Sequence, residues 1–278
     1  MPYLETANTP RMYYETFGPE TDYPVVLIHP IGGNIEIWAE EIRILRQKGL
    51  RVIAYELRGH NRSDIGKVQA FTMHDLVEDL HALLSELSID RCTLVGHSIG
   101  GQISCISAAT YPEKIDNLII ISSSSEIIPD ADLEKHSRTR EIARTKGMVA
   151  LAEETMQENE VAKNVFKNEK KRETFTRIFT RTSVEGFSAA TIALYSIPGN
   201  TTELLRMNSN LRLFGIVGSD DEVFVRLMTQ MQKQIPAMKM KIISGGDHWL
   251  IVENHKAFDE AFIEALDNTI LLQKKIVS

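Results

Sequence analysis

Residues 92–101 read Cys-Thr-Leu-Val-Gly-His-Ser-Ile-Gly-Gly. Cys92–Val95 is a short β-rich apolar run, and Gly96-His97-Ser98-Ile99-Gly100 is a GxSxG pattern that leads into the helical stretch Gln102–Thr110. The pattern alone arises by chance in roughly 0.1 of chains this long, taking Gly and Ser near ~7% each. Its place between a strand and a helix is what makes it informative. A sharp strand-to-helix turn strains the serine backbone and lifts the hydroxyl above the sheet, which is the nucleophile elbow. Glycines flank the serine because side chains there would collide with neighbouring backbone. The helix N-terminus behind it supplies positive potential for a developing oxyanion.

Outward from this turn, strands and helices alternate. Arg11–Phe17, Pro24–His29, Arg51–Glu56 and Ile115–Ile121 read as strands. Ile35–Lys48 reads as a helix from Ile37, Trp38, Ile42 and Leu45. Thr72–Leu87 reads as another, with Thr72 as cap, Asp75 three residues on, and an apolar face of Leu76, Leu80, Leu83, Leu84 and Leu87. The run Leu118-Ile119-Ile120-Ile121 predicts a strand buried on both faces. The alternation resumes late, with strands Leu211–Val217 and Met238–Ile243 and helices Glu222–Gln234 and Lys256–Leu271. This order predicts an α/β fold with a mostly parallel sheet and helices on both faces. Between the two halves lies a charge-dense, nearly neutral, helix-forming segment poor in Pro and Gly, with Phe175, Ile178 and Phe179 on one face. We expect a core domain of residues 1–125 and 201–278, and a helical lid inserted at 126–200.

Composition narrows the function. The chain has 278 residues, 43% of them hydrophobic, ample for a sizeable core. Its 31 basic and 38 acidic residues leave a net charge of −7, which disfavours nucleic-acid partners. No apolar run approaches the roughly 18–20 residues of a membrane span. The stretch Met1–Tyr14 has no cationic cluster followed by an apolar run, so a cytoplasmic address is expected. Cys92 and Cys105 read as reduced core residues, and no CxxC or HExxH motif points to a metal. No metal and no organic cofactor are expected.

A serine nucleophile needs a base, and His248 is the best placed of the eight histidines. It follows a strand through Ser244-Gly245-Gly246-Asp247, a loop able to carry an imidazole across the sheet edge. The base needs a carboxylate. Asp220 and Asp221 follow the strand Leu211–Val217, where catalytic groups gather in open α/β sheets, and Glu126 is a weaker third choice. An oxyanion hole needs two backbone donors. Ile99 N–H is the first. The second belongs to the loop His29-Pro30-Ile31-Gly32-Gly33, where Pro30 has no N–H, leaving Ile31 first and Gly32 next. His29 is expected to order this loop rather than to transfer protons. Trp38 and Trp249 are candidates for the pocket wall.

These pieces resemble the α/β-hydrolase superfamily over nearly the whole chain. The resemblance rests on HPIGG at His29–Gly33, YELRGHNRSD at Tyr55–Asp64, GHSIGG at Gly96–Gly101, GSDD at Gly218–Asp221 and GGDHW at Gly245–Trp249. It implies the chain order Ser98…Asp221…His248 and selects Asp221 by its distance from Gly218. The segment around Glu185-Gly186-Phe187 and Ala189/Ala190 is similar to enol-lactonase-like and small esterase-like members. Pro30 departs from the family's usual Gly, and Glu56 and Asn61 from its usual Asp and Gly. The implied reaction is cleavage of a small-molecule ester or lactone through an acyl-enzyme. The same triad also serves thioester cleavage, C–C bond hydrolysis and perhydrolysis, and the scaffold can serve as a ligand receptor.

Overall fold

The computed structural model describes residues 3–6, 9–67, 70–126 and 131–271. Residues 1–2, 127–130 and 272–278, which the sequence-based boundaries include, lie outside the described residues. Eight strands form one sheet: β1 (Tyr3–Leu4), β2 (Met12–Phe17), β3 (Pro24–Ile28), β4 (Arg51–Tyr55), β5 (Cys92–His97), β6 (Ile115–Ile121), β7 (Arg212–Gly218) and β8 (Lys239–Ile243). Their order across the sheet is β1-β2-β4-β3-β5-β6-β7-β8. The β1–β2 and β2–β4 pairs are antiparallel, and every pair from β4 to β8 is parallel. The expected mostly parallel α/β sheet is therefore present, with a two-residue edge strand that the sequence pattern did not reveal.

Burial follows the two-residue period of the strands. On β3, Val26 and Ile28 face one core and Val25 and Leu27 the other. On β6, Leu118 and Ile120 face the first core, Ile119 and Ile121 the second, and all four are fully buried, as the unbroken apolar run predicts. The first core is closed by α2 (Met73–Glu86), α3 (Ile99–Thr110) and α9 (Glu222–Gln234). The second is closed by α1 (Ala39–Gln47) and α11 (His255–Asn268). Helix α2 begins at a complete capping box, in which Thr72 Oγ1 accepts from Asp75 N and Asp75 Oδ2 accepts from Thr72 N, an arrangement worth about 1 kcal/mol.

Among the described residues, five α-helices separate β6 from β7: α4 (Ala131–Met156), α5 (Glu160–Val165), α6 (Glu169–Phe179), α7 (Val184–Ala193) and α8 (Thr201–Met207). Helix α4 is broken at Gly147, which takes φ 82°. A short α10 (Leu250–Glu253) precedes α11. Trp38 departs from expectation. It is fully buried in the second core, is not on the wall of the cavity described below, and closes a 3₁₀ turn ahead of α1. The apolar stripe it shares with Ile35, Ile37 and Leu45 packs it into the second core, away from the cavity wall. Among the described residues, no helix is long and apolar enough to cross a membrane.

Candidate active site

The carboxyl ends of β3, β5, β7 and β8 bring the candidate residues to one edge of the sheet. Ser98 caps α3 with φ 55° and ψ −119°, a strained conformation for a residue with a Cβ. The elbow closes only because its glycines are bare. A Cβ on Gly96 would stand 2.2 Å from Gly100 O, and one on Gly100 would stand 2.2 Å from Ile28 O. Ser98 O accepts from Gly101 N at 2.9 Å, Gln102 N at 3.1 Å and the Ser123 hydroxyl at 2.7 Å.

Ser98 Oγ lies 3.0 Å from His248 Nε2, and His248 Nδ1 lies 2.9 Å from Asp221 Oδ2. The carboxylate accepts at Nδ1, so Nδ1 carries the proton and Nε2 is free to accept from the serine hydroxyl. Burial lowers the His248 pKa, but the charge and hydrogen bond of Asp221 outweigh it and leave it raised. Burial likewise raises Asp221, and His248, Ser122 and the Phe224 N–H together bring it below the ordinary carboxylate range. The Phe224 ring stacks on His248 with centroids 5.1 Å apart. Of the three acids weighed from the sequence, Asp221 meets the histidine. Asp220 is exposed, and Glu126 accepts from Gln234.

The loop after β3 is held by two buried histidines. His29 Nδ1–H donates to Pro30 O at 2.8 Å, and Leu57 N–H donates to His29 Nε2 at 3.0 Å. His60 Nδ1–H donates to Arg58 O at 2.9 Å, and Gly32 N–H donates to His60 Nε2 at 3.3 Å. Burial holds the pKa of His29 at about 4 and of His60 at about 3, so both rings are neutral. His29 therefore orders the loop, as its position suggested. Gly32 N–H is occupied by His60, and Gly33 N–H by Pro30 O. Among the described residues nothing accepts from the N–H of Ile31 or of Ile99, so Ile31 keeps the free donor in this loop.

Glu56 and Asn61, two of the three family departures, form one device. Asn61 occupies the left-handed region at φ 48°, where the usual glycine fits and asparagine is tolerated. Its amide donates to the fully buried Glu56 at 2.7 Å, and Arg62 N–H donates to the other carboxylate oxygen at 2.8 Å.

A cavity of about 340 Å³ opens beside Ser98 and His248. Phe166, Phe179, Phe187, Phe224 and Trp249 line it, together with charged groups that include Lys135, Glu158, Asp247 and Glu253. Phe175 is 1% exposed and lies behind this wall, edge-on to Trp249. Trp249 thus lines the cavity and Trp38 does not. Sequence reading did not single out His60, Ser123, Phe224 or Asn159. The last caps α5 and donates to the Asp247 carboxylate. The run Ser122–Ser125, fully or almost fully buried, was the available signal for Ser123. Among the described residues, no group of three or more His, Cys, Asp or Glu is arranged to hold a metal ion.

Comparison with known proteins fits this geometry. A solved carboxylesterase structure from the thaumarchaeon Nitrososphaera gargenis is 48% identical with a TM-score of 0.92, over 96% of this chain and 98% of that one. The enol-lactonase of Burkholderia xenovorans shares the fold at 21% identity and a TM-score of 0.81, over 96% of this chain and 100% of that one. Among curated proteins, mouse ABHD8 is 32% identical over 106 residues, 38% of this chain and 24% of that protein. The chain spans about half or less of the length of the curated relatives it matches. The α/β-hydrolase fold description matches residues 23–255, a stretch running from the start of β3 to the start of α11 and holding every group of the constellation. With an elbow serine after β5, an acid after β7 and a histidine after β8, this chain belongs to the α/β-hydrolase family.

Proposed function

We propose that this protein hydrolyses small carboxylic esters or lactones through Ser98, His248 and Asp221 and an acyl-enzyme. One observation carries the reading. An unbroken hydrogen-bond chain runs from Asp221 Oδ2 through His248 to Ser98 Oγ, and it opens on a cavity with an aromatic wall and several polar groups. His248 takes the Ser98 proton as Oγ attacks the carbonyl, and Asp221 holds the tautomer and stabilises the imidazolium. The N–H groups of Ile31 and Ile99 receive the oxyanion, each donor being worth on the order of 10²–10³ in rate. His248 then protonates the leaving alkoxide, and a water activated by the same imidazole releases the acid. The carboxylesterase relationship at 48% identity supports an ester substrate.

We infer further that residues 126–200 act as a cap. Phe166, Phe179, Phe187 and Leu194 of this segment face the cavity that Ser98 opens on, and shape its apolar wall. The test is fluorophosphonate labelling with peptide mapping, beside turnover of a p-nitrophenyl ester panel. Label on Ser98 alone, with turnover lost in Ser98→Ala, supports the reading. Label or turnover that persists in Ser98→Ala refutes it.

A further inference from the structure

His97 stands just before the nucleophile at the end of β5, with no exposed surface. Its Nε2 lies 2.8 Å from the backbone carbonyl oxygen of His248. A carbonyl only accepts, so this nitrogen carries the proton and donates. The other nitrogen, Nδ1, is buried and has no hydrogen-bond partner among the described residues. A bare Nδ1 suits a neutral ring, and burial pulls the His97 pKa down to about 3. No other described group donates to the His248 carbonyl. The preceding residue is tied separately, by Asp247 N–H donating to Glu253 Oε2 at 2.7 Å. The His97 ring also packs 5.4 Å from the His248 ring and edge-on to Trp249 at 6.1 Å.

Residue 248 sits in the loop between β8 and α10, without a strand or helix to fix its backbone. Its imidazole must nonetheless span two fixed partners, at 2.9 Å on one side and 3.0 Å on the other. We propose that His97 is a positioning residue, whose Nε2–H holds the His248 peptide so that the imidazole reaches Ser98 and Asp221 together. This rests on His248 being the general base. One buried side chain thus ties the strand that carries the nucleophile to the loop that carries its base.

Three variants test it in the full-length protein. His97→Gln sets an amide nitrogen near the place of Nε2 and keeps the donor. His97→Asn carries its amide closer to the backbone, out of reach of the carbonyl. His97→Leu removes the donor. A displacement of about 1 Å at a catalytic group costs up to about 10²-fold, so Leu and Asn should lower kcat by about 10- to 100-fold with KM nearly unchanged. The acid limb of the kcat/KM profile should move to lower pH in both, because a displaced His248 loses the Asp221 contact that raises its pKa. Gln should restore kcat to within about threefold and return the acid limb to its wild-type place. Wild-type kcat with an unmoved acid limb in Leu and Asn overturns the proposal, as does a Gln variant impaired like Leu. Should Leu fail to fold, the Asn–Gln pair decides alone. Failure of the parent reading shows earlier and elsewhere, as wild-type turnover that survives Ser98→Ala, and it overturns both.

Discussion

Replacing Asp221 by asparagine removes one charge and changes almost no volume, so its cost follows from hydrogen-bond geometry. Asp221 is 6% exposed, accepts from His248 Nδ1 at 2.9 Å, and also receives the Phe224 N–H. In Asp221→Asn the amide oxygen keeps the Phe224 N–H, because only oxygen can accept it. The amide nitrogen then faces Nδ1 and donates to it. That forces the proton of His248 onto Nε2, the nitrogen that must accept from Ser98 Oγ. The wrong tautomer in an otherwise intact triad costs on the order of 10⁴ in kcat. The pH dependence moves as well. Asp221 is what raises the His248 pKa against burial, so the acid limb of any residual activity shifts to lower pH. Asp220 is the matched control, being exposed and, among the described residues, accepting from Ser219 Oγ alone by its side chain, at 3.4 Å. Asp220→Asn should leave kcat within about twofold, as expected of surface electrostatics. Steady-state p-nitrophenyl ester kinetics from pH 5 to 9, roughly the range in which histidine titrates, on variants matched by circular dichroism, decide it. Equal losses in the two variants, or a larger loss in Asp220→Asn, would refute the assignment.

Three further outcomes follow from the same structure. Phe179→Ala should change the ratio of kcat/KM between short and long acyl esters, whereas Phe175→Ala, behind the wall, should lower stability by about 3–5 kcal/mol with the ratio kept; an unaltered ratio in a folded Phe179→Ala counts against a pocket role. Asn61→Ala loses the bond to buried Glu56 and also strains a φ of 48°, while Asn61→Gly loses only the bond, so denaturant melts should rank alanine as the more damaging by about 1 kcal/mol. Glu41 is buried beside Asp259, and burial with that neighbouring charge raises its pKa to about 8. A carboxyl raised in the folded state gives stability that is whole below the ordinary value and lost as pH rises through about 8, so the fall in wild-type Tm from pH 5 to 9 should flatten in Glu41→Gln; parallel Tm curves for the two proteins would exclude this account.

The centre of the sheet was legible because β3, β4, β5 and β6 are apolar runs with their own boundaries, buried on both faces, whereas the edge strand β8 is largely exposed and carries two lysines. The elbow and the catalytic loops were legible because Gly-rich turns at strand ends are local features. What escaped notice depends on contacts between segments far apart in the chain. Phe224 lies 24 residues before His248, and its stacking on the imidazole exists only once β7 and β8 are paired. Trp38 and Trp249 look alike as isolated aromatics and share one apolar core, yet Trp249 lines the cavity and Trp38 does not. Local pattern does not say which tryptophan of a core meets a cavity. The Asp220–Asp221 ambiguity has the same origin, since a one-residue step decides which carboxylate meets a histidine that arrives from another strand.

The cavity owes its form to how the helices between β6 and β7 are tied down. At one end α7 approaches the β4–α2 loop so closely that a Cβ on Gly59 would stand 2.5 Å from Gly186 Cα. Ser183 N–H donates to Gly59 O at 2.9 Å, Asn61 N–H to Arg181 O at 3.0 Å, and Asn34 Nδ2 to Ile178 O at 3.3 Å. At the other end Asn159 donates to Asp247, and Lys171 Nζ donates to Glu253 O at 2.7 Å. These tethers attach α5, α6 and α7 to the loops that carry His60, which orders the Ile31 donor loop, and His248. Glu56 and Asn61 sit inside the first tether, which gives their departure from the family pattern a consequence. The pair fixes the turn on which α7 rests, and α7 carries Phe187 of the cavity wall. The shape of the pocket is therefore set by the same backbone contacts that hold the Ile31 loop, so residues far from Ser98 can reshape the cavity without touching Ser98, His248 or Asp221.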